Sequence, residues 1–186
     1  MKKLELYIKY LAWFISSLFK NKSEINFAKK PYNFYGSYKI GDWQKREADS
    51  SGNPYKQLGI IDMKKAVKIH EWILDNITYV TDEKQYGMQD YWETSTEVLE
   101  KKRADCEGIA AAHWRLLRDA GFPDSAIGII LVQDHAFACI YEEENDFWVL
   151  DNGNISYSIV RASEIFPHPR VGKPLVGFNL FENWSY

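Results

Sequence analysis

The chain has 186 residues, 46% of them hydrophobic and 16% aromatic, which is enough to bury one core, and it carries no repeated or low-complexity segment that would build an array. Its net charge of −3 is unevenly divided: residues 1–30 hold seven Lys against two Glu, and the remainder holds 16 Lys and Arg against 24 Asp and Glu. An acidic body lacks the basic patch that phosphate binding needs, so no nucleic acid is expected as a partner.

From Leu4 to Phe19 the residues Leu4, Ile8, Leu11, Ile15 and Leu18 line one helical face, and Lys2, Lys3, Lys9, Lys20 and Lys22 surround it. The uncharged run Tyr10–Phe19 is far shorter than the roughly 20 apolar residues that span a bilayer. A cleaved signal peptide would need a small-x-small site, and no convincing one follows. Residues 1–23 therefore read as a basic amphipathic helix. Residues 1–20 either contact a membrane surface or pack on the domain that occupies 24–186. Residues 24–60 are rich in turn formers and aromatics, and read as irregular structure with one or two short strands around Phe34–Ile40.

A helix is expected after the N-cap Asp62, with Met63, Ala66, Val67, His70, Ile73, Leu74 and Ile77 on one face. His70 inside that face reads as a core histidine. Between Asp75 and Glu107 stand nine carboxylates against four basic residues, including Asp82, Glu83, Asp90, Glu93 and Glu97. Their spacing matches no EF-hand loop, and alone they read as a solvated face. Thr94-Ser95-Thr96-Glu97 is a helix-start signal for a short helix over Glu97–Lys102.

The centre of the chain is Asp105-Cys106-Glu107-Gly108. Downstream, Ile109, Ala112, Leu116, Leu117 and Ala120 recur at helical spacing, and Gly121 is a stop. Cys106 falls in the first turn, where unpaired backbone N–H groups favour thiolate over thiol. With one other cysteine and no paired Cys/His spacing, a zinc site is not expected. His113 lies seven residues on, roughly 10 Å away along the helix, too far to serve as a base.

Ile127–Val132 reads as a buried strand, His135–Tyr141 as a central strand apolar on both faces, and Phe147–Asp151 as the returning strand of a hairpin. A histidine opening one strand and a carboxylate closing its neighbour approach one another in an antiparallel pair. His135 is thus the candidate base and Asp151 its orienting partner, with Asp134 and Asn152 as competitors. Cys139, four residues along the strand from His135, reads as core, and His168 sits in a proline-bounded loop.

A thiol at a helix start, then His and Asp on successive strands, is the order of the papain-like and transglutaminase-like enzymes. The sequence resembles more specifically the bacterial transglutaminase-like cysteine proteinases, through Ile77-Thr78-Tyr79-Val80-Thr81-Asp82, Tyr86–Trp92, Glu97-Val98-Leu99, Asp105-Cys106-Glu107, His135-Ala136 and Val149–Asn152. The resemblance covers about residues 62–155. It implies an α+β, papain/transglutaminase-like fold, with the nucleophile at a helix N-terminus packed on an antiparallel sheet carrying His and Asp.

It also implies a thiol peptidase in which Cys106 is the nucleophile, His135 the base and Asp151 the orienting acid, acting on a protein or peptide through a thioester. Trp92 and Gln89 are the candidates for a second oxyanion donor beside the Cys106 N–H. The family's best-known members are periplasmic proteases of surface adhesins that depend on calcium, bound by acidic residues that map onto Asp105 and Glu107. No organic cofactor is expected. Two positions depart from the family's usual pattern: Ala104 stands where Gly precedes the Asp, and Gly108 where a second acidic residue follows the Glu. A transglutaminase or glutamine deamidase with the same triad, or a catalytically silent binding module, are the alternatives.

Overall fold

The structure is a computed structural model and describes residues 30–31, 38–50, 59–132, 135–143, 146–154, 156–166 and 176–185. The expected helix over 1–23, the expected strand positions 34–37, Asp134 and His168 lie outside the described residues.

Seven short strands form one antiparallel sheet. They are β1 (Lys30–Pro31), β4 (Ile127–Val132), β5 (His135–Glu143), β6 (Asp146–Leu150), β7 (Val160–Arg161), β8 (Val176–Phe178) and β9 (Asn183–Ser185), in the order β1-β9-β8-β4-β5-β6-β7. The register of β4 with β5 pairs Val132 with His135 and Ile127 with Ile140, so β5 runs through the interior of the sheet. Its hairpin partner β6 pairs Leu150 with Ala138. Asp151 follows directly, near the end of β5 that His135 opens. The expected β-hairpin is borne out, and its register is what brings the two residues together.

On one face of this sheet lies the helix α5 (Cys106–Asp119), buried almost all round. Ala110, Ala111, Trp114 and Leu117 pack on Ile127, Ile129, Ala136 and Ala138, while Ile109 and Ala112 meet Ile73, Ile77 and Val98 on the far side. A helix buried on both sides needs small residues for close approach, which the Ala110-Ala111-Ala112 run supplies. The far-side partners belong to α2 (Met63–Asn76), whose C-cap is Ile77, and to α4 (Ser95–Lys101); β2 (Thr78–Tyr79) and α3 (Asp82–Tyr86) lie between these helices, and β3 (Arg103–Ala104) leads from α4 to α5. The opposite face of the sheet packs Phe137, Cys139, Tyr141 and Val149 against Ala162 and Ile165 of the short helix α6 (Ala162–Ile165).

Helix starts are set by side chains. Asp62 Oδ1 accepts from the backbone N–H of Lys64 at 3.0 Å and of Lys65 at 3.3 Å. Thr94 and Glu97 form a reciprocal capping box, so this helix begins at Ser95, two residues before the expected Glu97.

The strands expected around Phe34–Ile40 are corrected over residues 38–40, which open the helix α1 (Tyr38–Ser50). Gly41 and Asp42 read as a turn, yet Ile40, Trp43 and Glu47 bury one stripe of a helix. Trp43 packs edge-on against Trp114 and Phe178 at 5.8 and 5.5 Å, and that burial outweighs the roughly 1 kcal/mol that a helical glycine costs.

Candidate active site

Asp105 is the N-cap of α5, its Oδ1 accepting from the Gly108 N–H at 3.4 Å, and Cys106 is the first helical residue. The thiol therefore stands where the helix ends on the sheet, and the backbone N–H of Ala136, second residue of β5, donates to it. His135 precedes Ala136. Its Nε2 meets Asp151 Oδ1 at 2.5 Å, with Asp151 fully buried. The other Asp151 oxygen accepts from the Ser156 N–H at 3.1 Å, so the carboxylate is held from two directions.

His135 and Asp151 thus come together as expected, and Cys106 lies beside the strand that carries His135. Among the described residues, however, the hydrogen bond of the thiol runs to Glu107 Oε2 at 2.9 Å. Burial and the Glu107 carboxylate, joined by Asp105, push the Cys106 thiol far up from its ordinary range. This corrects the expectation that the helix start favours thiolate. The half-charge of a helix N-terminus is outweighed by desolvation and a full negative charge in contact with the sulfur.

The acidic run also departs from its expected reading as a solvated face, since Asp82 and Glu93 are buried. Ligand atoms of Asp82, Glu93 and Asp105 lie within 4.8 Å of one another, as do those of Asp105, Cys106 and Glu107. Burial, then Glu107, then Asp82 push the Asp105 carboxyl well above the usual carboxylate range, and Asp82 is raised by burial and by Glu107. Carboxylates crowded in this way are mutually destabilising without a counter-charge. An all-oxygen set of this density suits a hard cation such as calcium, so Asp82, Asp105 and Glu107 fit the ion that the resemblance implies.

Trp92 is buried in the same cluster as Cys106 and stacks on Phe178 with centroids 5.7 Å apart; its indole Nε1 has no acceptor among the described residues. Gln89 lies on an exposed bend. Arg46 and Trp43 of α1 hold the carbonyls of Trp92 and Glu93 at 2.6 and 3.0 Å. A shallow cavity of about 270 Å³ is lined by Tyr79, Asn152, Gly153 and Asn154. The Tyr79 hydroxyl is pushed up by burial and then by Cys106, Asp105 and Glu107.

Sequence reasoning missed a pair of helix-borne imidazoles behind the site. His70 Nδ1 and His113 Nε2 are 3.0 Å apart, and His113 Nδ1 donates to the Ile109 carbonyl at 3.0 Å. Each lies inside an apolar helical face, and no signal in either helix alone announces their contact. Cys139 is core, as expected.

A buried His–carboxylate pair on an antiparallel sheet, beside a cysteine opening a central helix, defines the papain/transglutaminase-like class. Residues 25–164 match the family model of the bacterial transglutaminase-like cysteine proteinases (BTLCP), and the chain belongs to that family. Among solved structures it is similar to Legionella pneumophila LapG, at 21% identity over 78% of this chain and 87% of that one with a TM-score of 0.57. It is likewise similar to the EGTA-treated form of that protein, at 21% identity, 78% and 84% coverage and a TM-score of 0.57. The calcium-bound form gives 22% identity, 78% and 87% coverage and a TM-score of 0.56. No curated protein sequence matches the chain.

Proposed function

We propose that the chain is a thiol peptidase with Cys106 as nucleophile, His135 as general base and Asp151 as orienting acid. The observation that carries this reading is the 2.5 Å contact between His135 Nε2 and the buried Asp151 carboxylate, at the strand end that gives Cys106 its Ala136 N–H. With Nε2 committed to Asp151, Nδ1 is the nitrogen of His135 that would take the thiol proton. The sulfur then attacks a peptide carbonyl, the imidazolium passes its proton to the leaving amine as the C–N bond breaks, and a thioester remains. Water deprotonated by the same imidazole resolves it, releasing the acid and restoring the thiol.

Among the described residues, two donors suit the oxyanion: the Cys106 N–H at the start of α5 and Nε1 of Trp92, which has no acceptor among them. The exposure of Gln89 favours Trp92 over it. Asp105 and Glu107, with Asp82, would hold calcium, which when bound would neutralise the Glu107 carboxylate that otherwise claims the thiol proton. Cleavage of a peptide library tests the reading. Cuts made by the calcium-supplemented wild type and absent with Cys106→Ala are expected, and cuts that persist in Cys106→Ala remove Cys106 as nucleophile.

One observation favours the rival reading of a catalytically silent binding module: the thiol is bonded to Glu107 rather than to the imidazole. If that bond persists when calcium is supplied, Cys106 is an inert buried thiol.

A further inference from the structure

The space above the first turn of α5 is occupied by a side chain that is not its own. An ideal Cβ on Gly108 would stand 2.3 Å from Oε2 of Glu93, with Ala104 Cβ at 2.7 Å and Val98 Cγ2 at 3.1 Å. The absence of a side chain at 108 is thus what lets the Glu93 carboxylate lie against the helix start. Glu93 is 1% exposed. Its Oε1 accepts from Tyr86 Oη at 2.8 Å and from Gln85 Nε2 at 2.5 Å, while Oε2 has no hydrogen-bond partner among the described residues. A carboxylate oxygen buried without a donor is strongly disfavoured unless something else satisfies it. The Glu93 carboxylate also lies within 4.8 Å of ligand atoms of both Asp82 and Asp105.

We infer that Glu93 is a ligand of the divalent cation, supplying from the segment before α4 the carboxylate that Gly108 cannot supply from α5. This rests on the reading of Asp105 and Glu107 as cation ligands and adds a residue to that set. Each neighbouring carboxylate is already fixed by the backbone: Asp82 Oδ2 accepts from the Tyr91 N–H at 2.5 Å, and Asp105 caps the Gly108 N–H. Glu93 is fixed through Oε1 by Tyr86 and Gln85, which leaves Oε2 as its ligating atom. Calcium takes six to eight oxygens in flexible geometry, so a ligand recruited from outside the Asp-Cys-Glu segment is chemically suited to it.

Calorimetric titration of the full chain with calcium, run on wild type, Glu93→Gln and Asp105→Asn, tests this. Glu93→Gln keeps the shape and the acceptor for Tyr86 and removes the charge. Affinity at least about tenfold weaker than wild type is expected, with the fold unchanged by circular dichroism. Wild-type affinity in Glu93→Gln together with its loss in Asp105→Asn would overturn the role of Glu93 and leave the Asp105/Glu107 reading standing. No calcium binding by wild type would overturn both.

Should Glu93→Gln fail to fold, Glu93→Ala/Ala104→Gly/Gly108→Asp carries the test, because it removes the carboxylate, opens the Ala104 wall and returns the charge from α5. Binding by this variant at least about tenfold tighter than by Glu93→Ala/Ala104→Gly, which lacks the returned charge, supports the assignment. Equal affinity in the two overturns the assignment.

Discussion

Asp151 is fully buried, and its polar contacts include His135 Nε2 at 2.5 Å and the Ser156 N–H at 3.1 Å. An amide at this position preserves the shape but offers the imidazole the wrong charge, so Asp151→Asn should lower peptide cleavage by about 10⁴-fold with little change in melting temperature. Cleavage within a few-fold of wild type would show that His135 is oriented by something else.

The His70–His113 pair makes a separate pH prediction. Burial, then His70, push His113 down to about 3, and burial lowers His70 as well. The unfolded chain takes a proton at His113 near pH 6.5, which the fold refuses until about 3. The unfolded state therefore binds more protons in between, and stability is lost as pH falls from about 6.5 toward 3, by up to about 1.4 kcal/mol per pH unit from His113, with His70 acting in the same direction. His113→Asn should show a shallower fall in melting temperature over this window than wild type. Parallel slopes would contradict the account.

At the scale of the elements, α1 and the capping box of α4 fix the segment that carries Trp92 and Glu93. Glu47 accepts from the Ser95 N–H at 2.7 Å, Trp43 Nε1 donates to the Glu93 carbonyl, and Thr94 caps α4. Thr94→Ala should cost about 1 kcal/mol by denaturant titration, and Trp43→Ala about 3–5 kcal/mol, since it removes a fully buried indole. A Trp43→Ala loss below about 1 kcal/mol would mean that α1 is not part of the cooperative core.

These elements also mark what the sequence could and could not disclose. The helices opening at Met63 and Cys106 were legible because a capping aspartate precedes an apolar stripe in each case, and β4, β5 and β6 because they are apolar runs bounded by turn formers. Tyr38–Ser50 was hidden by Gly41 and Asp42, which score as a turn until the burial of Ile40 and Trp43 is known. His135 and Asp151 followed from hairpin geometry. The buried state of Asp82 and Glu93 depends on contacts among separate segments and leaves no local signature, and the hydrogen bond of Cys106 to its neighbour Glu107 turns on rotamers that adjacency does not fix.

For the molecule as a whole, the cluster of Asp82, Glu93, Asp105 and Glu107 joins the loop segments to the helix that the sheet supports. Calcium bound there, as proposed, would favour the folded state by mass action, about 2.7 kcal/mol at a hundredfold excess over Kd, which is about 5–10 °C for a chain of this size. Addition of a chelator should lower the melting temperature by that order. A melting temperature indifferent to both calcium and chelator would remove the cation from the account.

Among the described residues no helix is long and apolar enough to cross a membrane. In the proposed mechanism, the acceptor in the second half-reaction would be decided outside the three residues, by what reaches the thioester. A labelled amine offered with glutamine peptides separates amine transfer from hydrolysis.

The central claim, that Cys106 is an activated nucleophile served by His135, is tested most directly by the rate of iodoacetamide labelling of each cysteine against pH. It is read by peptide mass on calcium-supplemented wild type and His135→Ala. Labelling of Cys106 well below about pH 8.5, with Cys139 protected and the advantage lost in His135→Ala, is the predicted result. A Cys106 profile that stays at or above that of a free thiol, and does not change in His135→Ala, would contradict it.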